Sequence, residues 1–236
     1  MIHAKVIGAT GYGGIGIIEL LLQHPDVEIT ALVAREEVGR PIDEIYPHLA
    51  GCCSLPVLEA DDPRAQQAPA DVVFCATPDG VGMSMAPGLL DAGVRVIDYS
   101  GDFRFTSVEA YRDYATRIGR DPNHAAPALL GRNVYGLTEL HRDEIRSATL
   151  VGNPGCFAVS CILGLAPAMR HGLIEPVGAI CDCKTGVSGA GKKLNAQFHF
   201  PARYEQMNAY RLSGHQHVCE VERELGLQAG REVRVT

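Results

Sequence analysis

A chain of 236 residues with 46% hydrophobic content is long enough for one large domain or two small ones around a real core. Its formal charge of -7 and pI near 5.7 exclude a general nucleic-acid or acidic-membrane binder, so any anion must be gripped locally. Eight cysteines without a basic, apolar leader predict reduced thiols and a cytoplasmic location, and the longest apolar run, Phe157 to Met169, is too short to span a bilayer.

His3 to Gly8 reads as a buried strand and Ile15 to Leu22 as a helix packed on a sheet. Between them, Gly8, Gly11 and Gly14 allow a tight turn and leave helix N-terminal amides bare for a pyrophosphate, with Thr10, Tyr12 and Gly13 in the same loop. The second strand, Val27 to Val33, ends at Ala34-Arg35, where an acidic residue would select NAD. A guanidinium there suits a 2′-phosphate, so NADP is the expected cofactor, with Glu36 and Glu37 counting against it.

Asp71 to Pro78 reads as another buried strand whose terminal turn, including Thr77 and Pro78, faces the cofactor. A helix, Met83 to Leu90, and a strand, Val94 to Asp98, complete a rhythm that predicts a doubly wound parallel sheet of Rossmann type. Arg104 follows at the carboxyl end of that strand and is either a surface ion-pair residue or a grip for an anionic substrate. The polar stretch Thr106 to Pro127 reads as an insertion with a helical piece around Val108 to Ile118.

A strand, Ala148 to Val151, then delivers the chain to Asn153-Pro154-Gly155-Cys156. A cysteine entering a helix is favoured as a nucleophile because helix amides and dipole stabilise its thiolate; the alternative is one more small buried hydrophobe. Val177 to Lys184 reads as a strand leading to a glycine loop through Lys193. Lys193 stands where a phosphate-binding P-loop needs Ser or Thr, and Ala190 where a hydrolase elbow around Ser188 needs glycine, so a loop closing over a ligand remains. His215 and His217, before a helix from Glu220 to Leu225, are either satisfied structural histidines or a source of the proton donor and acceptor a cysteine nucleophile needs; a zinc site with Cys181, Cys183 and Cys219 is disfavoured by irregular spacing, and no metal is expected.

Together these pieces resemble the N-acetyl-gamma-glutamyl-phosphate reductases of arginine biosynthesis, in the semialdehyde dehydrogenase superfamily. The likeness rests on Gly8 to Tyr12, Tyr46-Pro47-His48-Leu49, Asp98 to Arg104, Tyr135-Gly136-Leu137, Gly152 to Cys156, Lys184 to Lys192 and Gly214 to His217; Val218-Cys219-Glu220-Val221 replaces the family's Thr-Pro-Glu-Ile. The resemblance implies an NADP-binding domain over residues 1–152 and, over 153–236, the first part of an α+β catalytic and dimerisation domain that continues past Thr236 in the family. It implies a Cys156 thioester formed from an acyl phosphate with release of inorganic phosphate, His217 as acid/base and His215 as substrate contact, with these two roles exchangeable. Arg104, Lys184 and Tyr210 would hold carboxylate or phosphate, and Asn153 would polarise the carbonyl. Ser188 and Gly189 would lie near the nicotinamide, with Cys75 and Ser100 also on the cofactor. A homo-oligomer is expected, with no nucleic-acid or membrane partner. The rival readings are an aspartate-semialdehyde or aminoadipate-semialdehyde dehydrogenase, and a non-catalytic NADP-binding sensor.

Overall fold

The glycine turn joins β1 (Ile2–Ile7) to α1 (Tyr12–Leu22), and the chain continues through β2 (Val27–Val33), α2 (Ile42–Ile45), β3 (Val57–Leu58), α3 (Pro63–Gln67), β4 (Val72–Cys75), α4 (Val81–Asp91), β5 (Arg95–Asp98) and α5 (Val108–Arg117). Then come β6 (Val134–Tyr135), α6 (Thr138–Ser147), β7 (Leu150–Gly152), α7 (Cys156–Arg170), β8 (Val177–Ala179), α8 (Phe200–Arg203), α9 (Val218–Ala229) and β9 (Arg234–Val235). This computed structural model describes residues 1–212 and 214–236; Ser213, in the histidine stretch, lies outside the described residues.

Two compact units result: residues Met1–Val108 with His124–Asn153, and Glu109–Asn123 with Pro154–Thr236. In the first, seven strands among the described residues form one parallel sheet in the order β3-β2-β1-β4-β5-β7-β6. The pleat of β4 shows why it is covered on both sides. Val72 and Phe74 join a buried cluster with Val6, Ile15, Ile18 and Leu32, whereas Val73 and Cys75 join another with Ala86, Val96 and Phe103. Strands buried on both faces read as continuous apolar runs, as the sequence of β4 does. The chain order reverses at β1, flanked by β2 and β4, and open α/β sheets bind ligands at the carboxyl ends of strands at such a switch point.

In the second unit α7 packs against α9, and β8 pairs in parallel with β9. The expected strand from Val177 to Lys184 is observed only as β8, because its partner β9 spans two residues and the last rung runs from the Cys181 amide to the Thr236 carbonyl. The expected helix from Glu220 to Leu225 is longer, Val218–Ala229, and ends at Gly230 in the left-handed region (φ 64°), a position that favours glycine. The insertion Glu109–Asn123 groups with this unit rather than with the strands that flank it in sequence.

Gly8 is the backbone pivot of the first unit. Its φ is +83°, and a Cβ there would stand 2.2 Å from the Ala76 carbonyl oxygen. Gly8→Ala is therefore expected to destabilise the protein by about 3 kcal/mol, combining left-handed strain with a backbone clash, read as a lower urea midpoint at unchanged slope.

Candidate functional site

In the first unit the glycine turn is built by close backbone approach. The Gly8 and Ala9 amides donate to the Val33 carbonyl at 2.8 and 3.1 Å, and the Gly11 amide donates to the Gly8 carbonyl at 3.1 Å. Gly14 lies so close beneath that a Cβ would come within 2.1 Å of the Gly8 oxygen. The first intrahelical bond, Ile15 to the Gly11 carbonyl at 2.9 Å, leaves the Tyr12, Gly13 and Gly14 amides in the opening turn. That turn has no side-chain cap and no acidic residue, which suits an anion. Thr77, after β4, carries a buried hydroxyl oxygen with no hydrogen-bond partner among the described residues. Arg35 is exposed just past the end of β2, and Pro78 is exposed beside Thr77.

Two residues expected on the cofactor turn inward instead. Cys75 is fully buried, and burial, with the Asp98 and Asp102 charges, pushes its thiol up to about 12. The Ser100 hydroxyl is buried and donates to Asp98 Oδ2 at 2.6 Å, while the Asp102 amide donates to Ser100 Oγ at 3.2 Å. Asp102 in turn accepts from the Gly80 and Met83 amides at 2.9 Å each, capping α4 from another strand's end. Arg104, expected to hold a substrate anion, is buried, and its guanidinium donates to the Asn153 carbonyl at 2.9 Å and the Tyr99 carbonyl at 2.8 Å. The Asn153 amide donates to the Asp98 carbonyl at 2.7 Å, so both main-chain polar groups of Asn153 are fixed.

Asp98 is completely buried and its Oδ1 has no hydrogen-bond partner among the described residues. Burial pushes its carboxyl up to about 7; the Asp102 and Asp79 carboxylates add to this, while the Ser100 hydrogen bond and Arg104 oppose it. The unfolded chain releases this proton near pH 4, so between about pH 4 and 7 the folded state binds the extra proton and stability falls as pH rises. Asp98→Asn is expected to remove up to about 4 kcal/mol of that loss, seen as a smaller difference between urea midpoints at pH 5 and pH 8.

The second unit gathers the thiol and the histidines. Cys156 is the first residue of α7, exposed, in a turn without acidic residues. Gly155 before it carries His217 on its Cα, since a Cβ would stand 2.3 Å from His217 Nε2. Glu220, one turn along α9, is fully buried; its Oε2 accepts from the Gly155 amide at 3.1 Å and its Oε1 lies 4.0 Å from His217 Nε2. Phe157 packs edge-on against His215, with centroids 5.2 Å apart, and His215 packs against Tyr210 at 5.8 Å and His217 at 4.7 Å. Burial first, then the Arg211 charge, holds the His215 imidazole below its usual range, and its Nδ1 accepts from the His217 amide at 3.2 Å. With Nδ1 accepting, the ring proton of His215 sits on Nε2. Burial and then the Cys156 charge raise the Tyr210 phenol.

Lys184 is exposed and pairs with Asp182. Ser188 and Gly189 lie in an exposed turn, Val187–Ala190, of this unit, whereas the glycine cradle belongs to the first. Sequence reading passes over Glu220, which as Glu in a helix-opening stretch looks like an ordinary solvated acid. Its signal is the spacing: His217 and Glu220 are three apart and share a helix face.

Residues 3–148 match the family model for the NAD-binding domain of semialdehyde dehydrogenase, and residues 156–236 the model for its dimerisation domain. An N-acetyl-gamma-glutamyl-phosphate reductase of Laribacter hongkongensis is 40% identical over 236 residues, covering 100% of this chain and 67% of that protein. One of Acidithiobacillus ferrooxidans is 43% identical over 222 residues, covering 94% of this chain and 62% of that protein. The chain thus spans about two thirds of the length of the curated relatives it matches. Among solved structures, aspartate semialdehyde dehydrogenase II from Vibrio cholerae superposes with a TM-score of 0.63 at 18% identity, covering 100% of this chain and 68% of that one. The Candida albicans aspartate semialdehyde dehydrogenase with NADP gives 0.58 at 15%, covering 100% and 66%; likeness at such identity shows the fold alone. Because two adjoining models of one family account for both ends of the chain and its full length aligns at 40% identity, it belongs to the semialdehyde dehydrogenase family, on the branch of the N-acetyl-gamma-glutamyl-phosphate reductases.

Proposed function

We propose that this chain carries the cofactor-binding and thioester-forming parts of a reductase that converts N-acetyl-glutamyl 5-phosphate to the 5-semialdehyde, releasing phosphate, as its relatives' name describes. The observation that carries the reading is the seating of His217 on Gly155, one residue from an exposed cysteine at a helix start. NADP fits the first unit: Gly8 and Gly14 allow the close backbone approach that forms the turn, the Tyr12 to Gly14 amides lie at a helix start, exposed Arg35 would meet the 2′-phosphate, and the buried Thr77 hydroxyl oxygen has no hydrogen-bond partner among the described residues. When bound, its reduced form supplies hydride.

The chain's own residues do the rest. The Cys156 thiolate attacks the acyl carbon, the carbon–oxygen bond to phosphate breaks, and inorganic phosphate leaves with the electron pair. After reduction, the thiohemiacetal oxygen on Cys156 would take a proton from the His217 imidazolium. Its collapse returns that proton to His217, breaks the carbon–sulfur bond and frees aldehyde and thiolate. His217 suits this task better than His215, because it seats on Gly155 beside Cys156 with a Glu220 carboxylate oxygen 4.0 Å away, whereas His215 Nδ1 is taken up by the His217 amide. His215 and Tyr210 then present polar edges to the substrate. The reaction is assigned to a reducing, cytoplasmic compartment, supported by the absence of a disulfide among the described cysteines, and to a homo-oligomer, supported by the dimerisation-domain match.

The test runs the reaction backwards, following NADPH formation from N-acetyl-glutamate semialdehyde, NADP and phosphate. Turnover that requires phosphate is expected. Turnover with aspartate semialdehyde or the aminoadipate analogue, and none with the N-acetyl-glutamate compound, would transfer the substrate assignment; NADP binding with no turnover on any of the three would favour a sensor.

A further inference from the structure

The Tyr46 hydroxyl donates to the Thr10 carbonyl across the first unit at 2.7 Å. On the other side of the same peptide plane, the Gly11 amide donates to the Gly8 carbonyl at 3.1 Å. The plane that precedes the anion-binding turn is thus held at both of its polar ends. Rotating it by half a turn would point the Thr10 carbonyl oxygen at the Gly8 carbonyl oxygen, to which the Gly11 amide now donates, and so undo the turn that sets the following amides. At Gly11 the rotation moves φ from its present -82° into the left-handed region, which glycine enters without cost. The Tyr46 and Gly11 hydrogen bonds oppose it.

The segment bearing Tyr46 is itself pinned to α1. His48 Nε2 meets Glu19 Oε1 at 2.7 Å, and the buried Leu49 joins the cluster containing Ile15 and Ile18, against which Tyr46 also packs. This segment begins where β2 ends, so it runs from the expected 2′-phosphate grip at Arg35 to the pyrophosphate turn.

We infer that Tyr46 is a positioning residue for the dinucleotide: its hydroxyl holds the Thr10–Gly11 peptide in the orientation that the turn needs to present the following amides to the pyrophosphate. The inference rests on the NADP reading. Tyr46→Phe retains the ring and its packing and removes only the hydroxyl. Titration calorimetry is to compare this variant with the unaltered chain for NADP and for adenosine 2′-monophosphate, which has the Arg35 contact and no pyrophosphate. The expected result is an NADP Kd raised about three- to tenfold, with the affinity for adenosine 2′-monophosphate unchanged. Equal weakening of both ligands would mean a general structural role and overturn the inference, as would unchanged NADP affinity. If the unaltered chain bound adenosine 2′-monophosphate but not NADP, the cofactor reading itself would fail and the inference with it.

Discussion

Replacing Cys156 with alanine is expected to remove phosphate-dependent turnover to the limit of detection, a loss of about 10⁴-fold or more, while leaving NADP affinity unchanged. The first part follows because the thiol that forms the thioester in this reading is gone; the second because the glycine cradle belongs to the first unit. Serine at this position is no substitute, since a hydroxyl is hardly ionised at neutral pH and lacks sulfur's nucleophilicity. The assignment to this thiol rests on contrast among eight. Burial raises the Cys53 and Cys161 thiols, pushes Cys219 up to about 11 and Cys75 up to about 12. Cys161 is also held 3.4 Å from Cys183. Cys156 is exposed at the amide end of a fifteen-residue helix, open to a reagent where those four are buried or half-buried. Limited alkylation with iodoacetamide followed by peptide mapping should therefore label Cys156 ahead of these four. Turnover surviving in Cys156→Ala would dismiss the thioester route.

The next largest effect is expected at His217 and Glu220, which differ in what they do to the fold. His217→Asn should lower kcat by about 10²- to 10⁴-fold, the usual worth of a positioned acid/base. Glu220→Gln keeps an oxygen for the Gly155 amide and removes the charge beside the imidazole. It should lower kcat by roughly tenfold or more and shift the acidic limb of the pH profile downward, with little change in melting temperature. Glu220→Leu instead leaves a buried amide unpaired, costing about 1–3 kcal/mol of stability. A Glu220→Gln variant with full kcat and an unmoved pH profile would reduce Glu220 to a structural brace for Gly155.

Much of the first unit was open to sequence reading because its signals are local. The apolar runs of β1, β2, β4 and β5 and the glycines at 8, 11 and 14 each lie within a few residues of the structure they dictate. β3, β6 and β9 are two-residue strands, too short to leave a periodic trace, and α6 buries no residue fully, so its apolar stripe is faint. The candidate site divides in the same way. Cys156 announces itself through Pro154-Gly155 and the helix behind it, whereas the Arg104 bonds to Tyr99 and Asn153 and the Glu220 bond to Gly155 join positions whose neighbourhood only the fold creates. For Arg104 the residue type suggested an anion grip, but burial against carbonyl oxygens gives its donors main-chain partners. Ser100 is expected at the cofactor because the bond from its hydroxyl to Asp98 that turns it inward is not written in its neighbours, while Cys75 lies in a stretch whose buried strand the sequence does show.

The excursion of Glu109–Asn123 into the second unit bears on how this gene can be dissected. The polypeptide crosses between its two units at three places, after Val108, after Asn123 and after Asn153, so neither unit is a single uninterrupted cassette. A fragment stopping at residue 152 would carry α5 with Tyr111, Tyr114 and Ala115, which the intact chain buries, and would lack α9, whose Cys219 feels the charges of Arg117 and Asp113. Such a fragment would display an apolar helix face and invite aggregation. Excising 109–123 and bridging Val108 to His124 with a short flexible linker is the cut that respects the boundaries, and linear recombination with a relative would have to exchange both pieces of a unit together.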